Sequence, residues 1–129
     1  MKTLRVGIAS YEEMKARSLA IARGEYKPSA EDPKVWFASA ESFARILSDR
    51  NRALLRIIAE SAPDSLTRLA ELTGRKKSNL SRTVRTMERY GLLQVRTGAR
   101  GALIPRVHYK RISLLLPLSK PRPERTKAA

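Results

Sequence analysis

Two short amphipathic segments separated by a single glycine constrain this chain more than any other feature. After Ser65, which stands where an N-cap belongs, Leu66, Leu69, Ala70 and Leu72 make one turn-spaced apolar face, the period of a helix with one buried side. Gly74 follows at a point where the positive φ of a sharp turn is cheap only for glycine. The stretch from about Ser78 to Tyr90 then sets Leu80, Val84 and Met87 at i, i+4 and i+7, a second buried stripe. Gly91 supplies a left-handed stop. The spacing predicts two helices joined at a tight angle, with small Ala70 where they cross. Two ordinary packed helices with a glycine turn would satisfy it equally.

Charge separates the two possibilities. The turn and exposed face carry Arg75, Lys76, Lys77, Arg82, Arg85 and Arg89, with no acid before Glu88. A solvated helix face gains from opposite charges at i,i+4, whereas clustered like charge repels itself unless a polyanion neutralises it. The bias extends beyond this helix. The chain of 129 residues has 27 Lys and Arg against 12 acids, a formal net charge of +15. Residues 63–129 hold 16 basic and 4 acidic side chains, a net +12, while residues 1–62 hold 11 and 8, a net +3. A basic tail is the plainer explanation, but only Lys120, Arg122, Arg125 and Lys127 lie in it. With this charge the two segments resemble a helix-turn-helix, whose second helix lies in the DNA major groove.

Past Gly91 the period shortens. Leu92–Arg96 reads as a strand, Thr97–Gly101 as a hairpin tip and Ala102–Val107 as the return strand, with Pro105 marking an edge or a bulge. A basic hairpin in that place resembles the wing of winged helices, although a plain hairpin covering the core has the same pattern. The run SLTRLAELTGRKKSNLSRTVRTMERYGLLQVRTGARG, above all LAELTGRKKSNLSR and MERYGLL, resembles the DNA-reading core of MarR-like winged-helix regulators over roughly residues 50–110. Upstream, GEYKPSAEDPKVWF resembles a narrower group of small DNA-binding regulators, some of them antitoxins beside TumE-type toxins.

The remaining segments are read more coarsely. Residues 3–8 predict a short strand. Ser10 and Glu13 form a capping box for a helix over 11–23, with Tyr11, Met14, Ser18, Ile21 and Ala22 on one face and Gly24 as its stop. Residues 24–34 form an extended connector, and Val35-Trp36-Phe37 a strand or anchor. Ser39 caps a helix containing Phe43, Ile46 and Leu47. Ser48 or Asp49 restarts it into 50–61, leaving one bent helix or two. Residues 111–118 predict a further strand or a hydrophobic arm. The expected fold is mainly α with a small β-wing: an N-terminal extension and connector over 1–38, a winged helix-turn-helix domain over 39–118, and a disordered basic tail over 119–129.

The resemblance implies residue roles. Lys77, Ser78, Asn79 and Arg82 face base edges, where Asn reads adenine and Arg reads guanine. Ser81, Arg85, Lys76 and Arg75 meet phosphates, and Arg100 reaches the minor groove or a phosphate from the wing, with Arg96 and Arg106 on its strands. Any one of these could instead be a solvated charge. The expected partner is double-stranded DNA, bound by a homodimer that buries the apolar faces of 11–22 and 39–58 and represses transcription. The alternative is an antitoxin whose residues 1–40 or 111–129 bind a protein toxin while DNA binding serves autorepression. Structured RNA is a third candidate ligand.

Catalytic chemistry finds no foothold. There is no cysteine, hence no disulfide, thiolate zinc site or cysteine nucleophile. His108 is the only histidine and reads as a structural strand-end residue. Glu12 and Glu13 are adjacent on a helix and point apart, and Gly98–Gly101 lacks the helix a phosphate-cradling loop needs. The expectation is no catalytic residue, cofactor or metal, and therefore no enzyme. No apolar run approaches the roughly 20 residues of a membrane span, so the chain is expected to be cytoplasmic and free of membranes.

Overall fold

The computed structural model describes residues 2–118; the tail expected over 119–129 lies outside them. The elements run β1 (Thr3–Ile8), α1 (Tyr11–Ala22), β2 (Val35–Phe37), α2 (Ala40–Ile46), α3 (Asp49–Ser61), α4 (Leu66–Thr73), α5 (Lys77–Arg89), β3 (Gln94–Thr97), β4 (Leu103–Arg106) and β5 (Arg111–Leu115). The fold is mainly helical with a small amount of sheet.

Local signals set most helix ends. Ser10 accepts from the Glu13 amide (3.1 Å) and Glu13 Oε1 from the Ser10 amide (2.8 Å), the reciprocal box its sequence predicts. Residues 40–61 resolve into two helices, because Ser48 turns extended and caps Asn51 at 3.2 Å. Ala62 leaves α3 in the left-handed region at φ 43°, and Pro63 cannot continue it.

The strands make two sheets. In one, β1 lies between β2 and β5 and is parallel to both, so α1 is the crossover between β1 and β2. The register Leu4↔Ile112 and Val6↔Leu114 joins segments from opposite ends of the chain. In the other, β3 and β4 form an antiparallel hairpin with Val95 opposite Pro105. Among the described residues β4 pairs with β3 alone, so Pro105 occupies an edge strand, where its missing N–H is tolerated.

One core unites these parts. Leu4, Val6, Val35 and Phe37 pack in the same buried cluster as Leu54, Ile58, Leu69, Leu80, Val84 and Met87. Residues on both sides of position 38 therefore contribute to it. Phe37 stacks on Tyr90 (4.7 Å between centroids, 14°) and meets Phe43 edge-on (5.4 Å, 87°), fixing the C-terminal end of α5 against the sheet.

Two expected apolar faces behave differently from their patterns. The 39–58 face is spent inside the protomer, where Leu47, Leu54, Leu55 and Ile58 are buried. The 11–22 face buries nothing fully, and Tyr11 is 75% exposed. Polar and aromatic contacts hold α1 instead. The Arg17 guanidinium lies over the rings of Trp36 (5.2 Å) and Tyr26 (5.5 Å) and pairs with Asp32 at 3.0 Å. Tyr26 donates to the same carboxylate.

Candidate nucleic-acid interface

The α4–turn–α5 segment is built from its caps inward. Ser65 accepts from the Arg68 amide (3.0 Å) to start α4, and Gly74 ends it at φ 74°. Thr73 stiffens the exit. Its hydroxyl donates to the Leu69 carbonyl (2.9 Å) and accepts from the Arg75 amide (3.2 Å). Lys76 then begins α5 with no side chain capping the helix. The first amides of α5 thus lack a side-chain acceptor, and the partial positive charge of a helix N-terminus adds to the exposed Lys76 and Lys77.

Leu80, Val84 and Met87 are each 0% exposed, which fixes the rotation of α5 about its axis. Lys77, Ser78, Arg82, Arg85 and Arg89 are consequently exposed, with Asn79 and Ser81 half-buried at the margin. Arg85 pairs with Glu88 at 3.0 Å, and Arg89 Nη2 lies 3.5 Å from the Thr86 hydroxyl. Lys76, Lys77 and Arg82 have no carboxylate within ion-pair distance among the described residues.

Arg75 and Asn79 face each other instead of solvent. Arg75 donates to Asn79 Oδ1 from Nε (2.9 Å) and Nη2 (2.7 Å), to Asn51 Oδ1 from Nη1 (3.3 Å), and to the Thr83 hydroxyl from Nη2 (3.3 Å). Asn51 in turn donates to the Ile46 carbonyl at 3.0 Å. The network clamps the start of α3, the turn and the first half of α5. Both Arg75–Asn79 contacts converge on the Asn79 carbonyl oxygen, the acceptor that the expected bidentate contact to adenine also uses, alongside the Nδ2 donor. Sequence reasoning missed Asn51, which lies on another element and belongs to no motif.

The hairpin residues divide similarly. Arg96 on β3 and Arg100 at the tip are exposed, the latter at φ 58°. Arg106 turns inward, donating from Nη1 to the carbonyls of Pro63 (2.7 Å) and Pro105 (2.8 Å), and so ties β4 to the α3–α4 linker. His108 Nε2 lies 3.0 Å from Gln94 Oε1. Among the described residues no group of three or more His, Asp or Glu side chains could hold a metal ion, and no helix is long and apolar enough to cross a membrane.

No curated protein and no solved structure matches the chain. Residues 46–114, from the end of α2 into β5 and just over half the chain, match the model of the HVO_A0114 family. The matched span contains the whole helix pair, the hairpin and the start of α3 that braces the turn, and the chain belongs to the HVO_A0114 family.

Proposed function

We propose that this protein is a sequence-specific double-stranded DNA-binding regulator of winged helix-turn-helix type, a repressor acting as a homodimer and without catalytic activity. One observation carries the reading. Helix α5 hides three apolar side chains completely while presenting Lys76, Lys77, Ser78 and Arg82 beside an uncapped N-terminus. That is the arrangement a groove-reading helix needs, with donors for base edges and phosphates on one face. The basic hairpin that packs on α5 through β3, with Arg96 and Arg100 outward, suits a wing. Arg75, Asn79 and Arg106, spent on internal contacts, act as positioning residues.

Duplex binding measured against random and genomic sequences at rising salt tests this. Affinity should fall steeply with salt, and Lys77→Ala with Arg82→Ala should abolish sequence preference. Unchanged affinity and preference in that double variant overturns the assignment of α5.

A second reading, an antitoxin that neutralises a partner toxin and autorepresses, draws on exposed apolar side chains. Leu115 and Leu116 at the end of β5 are 55% and 52% exposed, and Leu118 is 99% exposed. Exposed apolar side chains so close together in the chain suit a protein-binding surface. Purification from the native operon decides between a homodimer and a complex with a neighbouring gene product.

A further inference from the structure

The start of α3 brings Arg50 alongside the turn between α4 and α5. A cleft of about 210 Å³ opens there, with Arg50, Ala53 and Ile57 on one side and Thr73, Gly74 and Arg75 on the other. Two guanidinium groups flank it and no carboxylate lines it. The side chains that accept from Arg75 are amide and hydroxyl oxygens of Asn79, Asn51 and Thr83, which meet its hydrogen-bonding demand and leave its charge unneutralised. Burial, and then the charge on Arg50, lower the pKa of Arg75 from its ordinary value. It stays protonated at neutral pH, a fixed cation short of counter-charge.

Arg50 itself is exposed, with no ion pair among the described residues. Like charges brought together at a surface cleft cost free energy that an anion between them recovers. Access is open, since a Cβ built on Gly74 would meet nothing within 4 Å. The cleft also adjoins the turn that leads into α5, so an anion seated in it lies beside whatever α5 enters.

We infer that this cleft binds one phosphodiester of a duplex backbone, with Arg50 making the direct contact and Arg75 supplying a fixed charge behind it. The inference rests on the DNA-binding reading and extends the contact surface from α5 to the start of α3. A backbone phosphate carries no sequence information, so the contact sets affinity and register and leaves preference to α5.

The test compares wild type, Arg50→Gln and Arg50→Lys on specific and random fluorescent duplexes over a salt series, with thermal melts confirming equal folding. Losing one phosphate contact reduces the slope of log affinity against log salt by about 0.9, so the wild-type to Arg50→Gln affinity ratio should fall about 3.5-fold between roughly 50 and 200 mM salt. The loss should be the same on both duplexes, and Arg50→Lys should keep the wild-type slope. Wild-type binding with an unchanged slope in Arg50→Gln overturns the inference and leaves the DNA reading standing. Failure of the wild type to bind any duplex removes both. Inorganic phosphate stabilising wild type but not Arg50→Gln, with duplex slopes equal, assigns the cleft to a free anion and overturns the duplex assignment.

Discussion

Arg75 grips Asn79 through two nitrogens, Nε at 2.9 Å and Nη2 at 2.7 Å from the same Oδ1, locking the residue that closes the turn to the first turn of α5. A hydrogen bond from a charged donor contributes about 1.5–3 kcal/mol. Arg75→Ala should therefore destabilise the protein by about that amount in urea unfolding. Asn79→Ala should cost less, because Arg75 retains Asn51 and Thr83. The double variant should show a coupling energy of at least about 0.5 kcal/mol; strict additivity would mean that the clamp contributes nothing.

Arg82 stands on the exposed face of α5 with no carboxylate partner among the described residues. Arg82→Ala should leave the melting temperature unchanged and lower affinity for the preferred duplex by about 1–3 kcal/mol while flattening sequence preference. A uniform loss on every duplex would reassign Arg82 to the phosphates.

Leu80 is 0% exposed and faces the core that orients α5. Truncation to Ala should cost about 2–5 kcal/mol, from lost burial and the cavity left behind. Duplex binding should weaken in parallel with the unfolded fraction at assay temperature, and stabilising osmolyte should restore both. Binding lost from fully folded protein would contradict this.

Gly7 faces Trp36 across the β1–β2 pair. A Cβ there would lie 2.7 Å from Trp36 Cζ3 and 2.9 Å from Pro33 Cγ. Gly7→Ala should destabilise by about 1–3 kcal/mol through overpacking. In a Trp36→Leu background the same change should cost less, and calorimetry of the four proteins in this cycle reads the difference.

Asp32 gives α1 a pH dependence of known sign. Burial opposes its ionisation, but hydrogen bonds from Tyr26, Arg17 and Ser29 outweigh that and hold the carboxyl below its ordinary range. With the folded value depressed, its stabilisation is complete above the ordinary carboxylate value and is lost as pH falls through the lowered one. Trp36 fluorescence, sensing the Arg17 stack, should change below about pH 4. Asp32→Asn should remove that transition and weaken the packing of α1 at neutral pH. An identical acid transition in the variant would place its origin elsewhere.

How far the sequence reaches depends on the range of the interaction. The Leu80, Val84 and Met87 stripe, the Ser10–Glu13 box and the Gly74 stop were legible because each acts within one or two helical turns. The same rule that finds an apolar face cannot say what covers it. Tyr11, Met14 and Ile21 read as a face for burial, yet α1 is held by Arg17, Asp32, Tyr26 and Trp36 across a connector of irregular backbone. The candidate interface divides likewise. Periodicity placed Arg82, Arg85 and Arg89 on the outer face, but residue type alone could not distinguish an outward arginine from Arg75 or Arg106, whose donors are spent inside.

The sequence by itself determined where α4 begins and ends, where α5 stops and which side of α5 is hidden, since caps, glycine stops and apolar spacing are local properties. Tertiary structure decided that β1 pairs in parallel with β5, that Phe37 stacks on Tyr90, and that Asn51 accepts from Arg75. Each joins segments distant in the chain, and partner choice between such segments follows from the shape and burial of the whole core, which no single segment encodes.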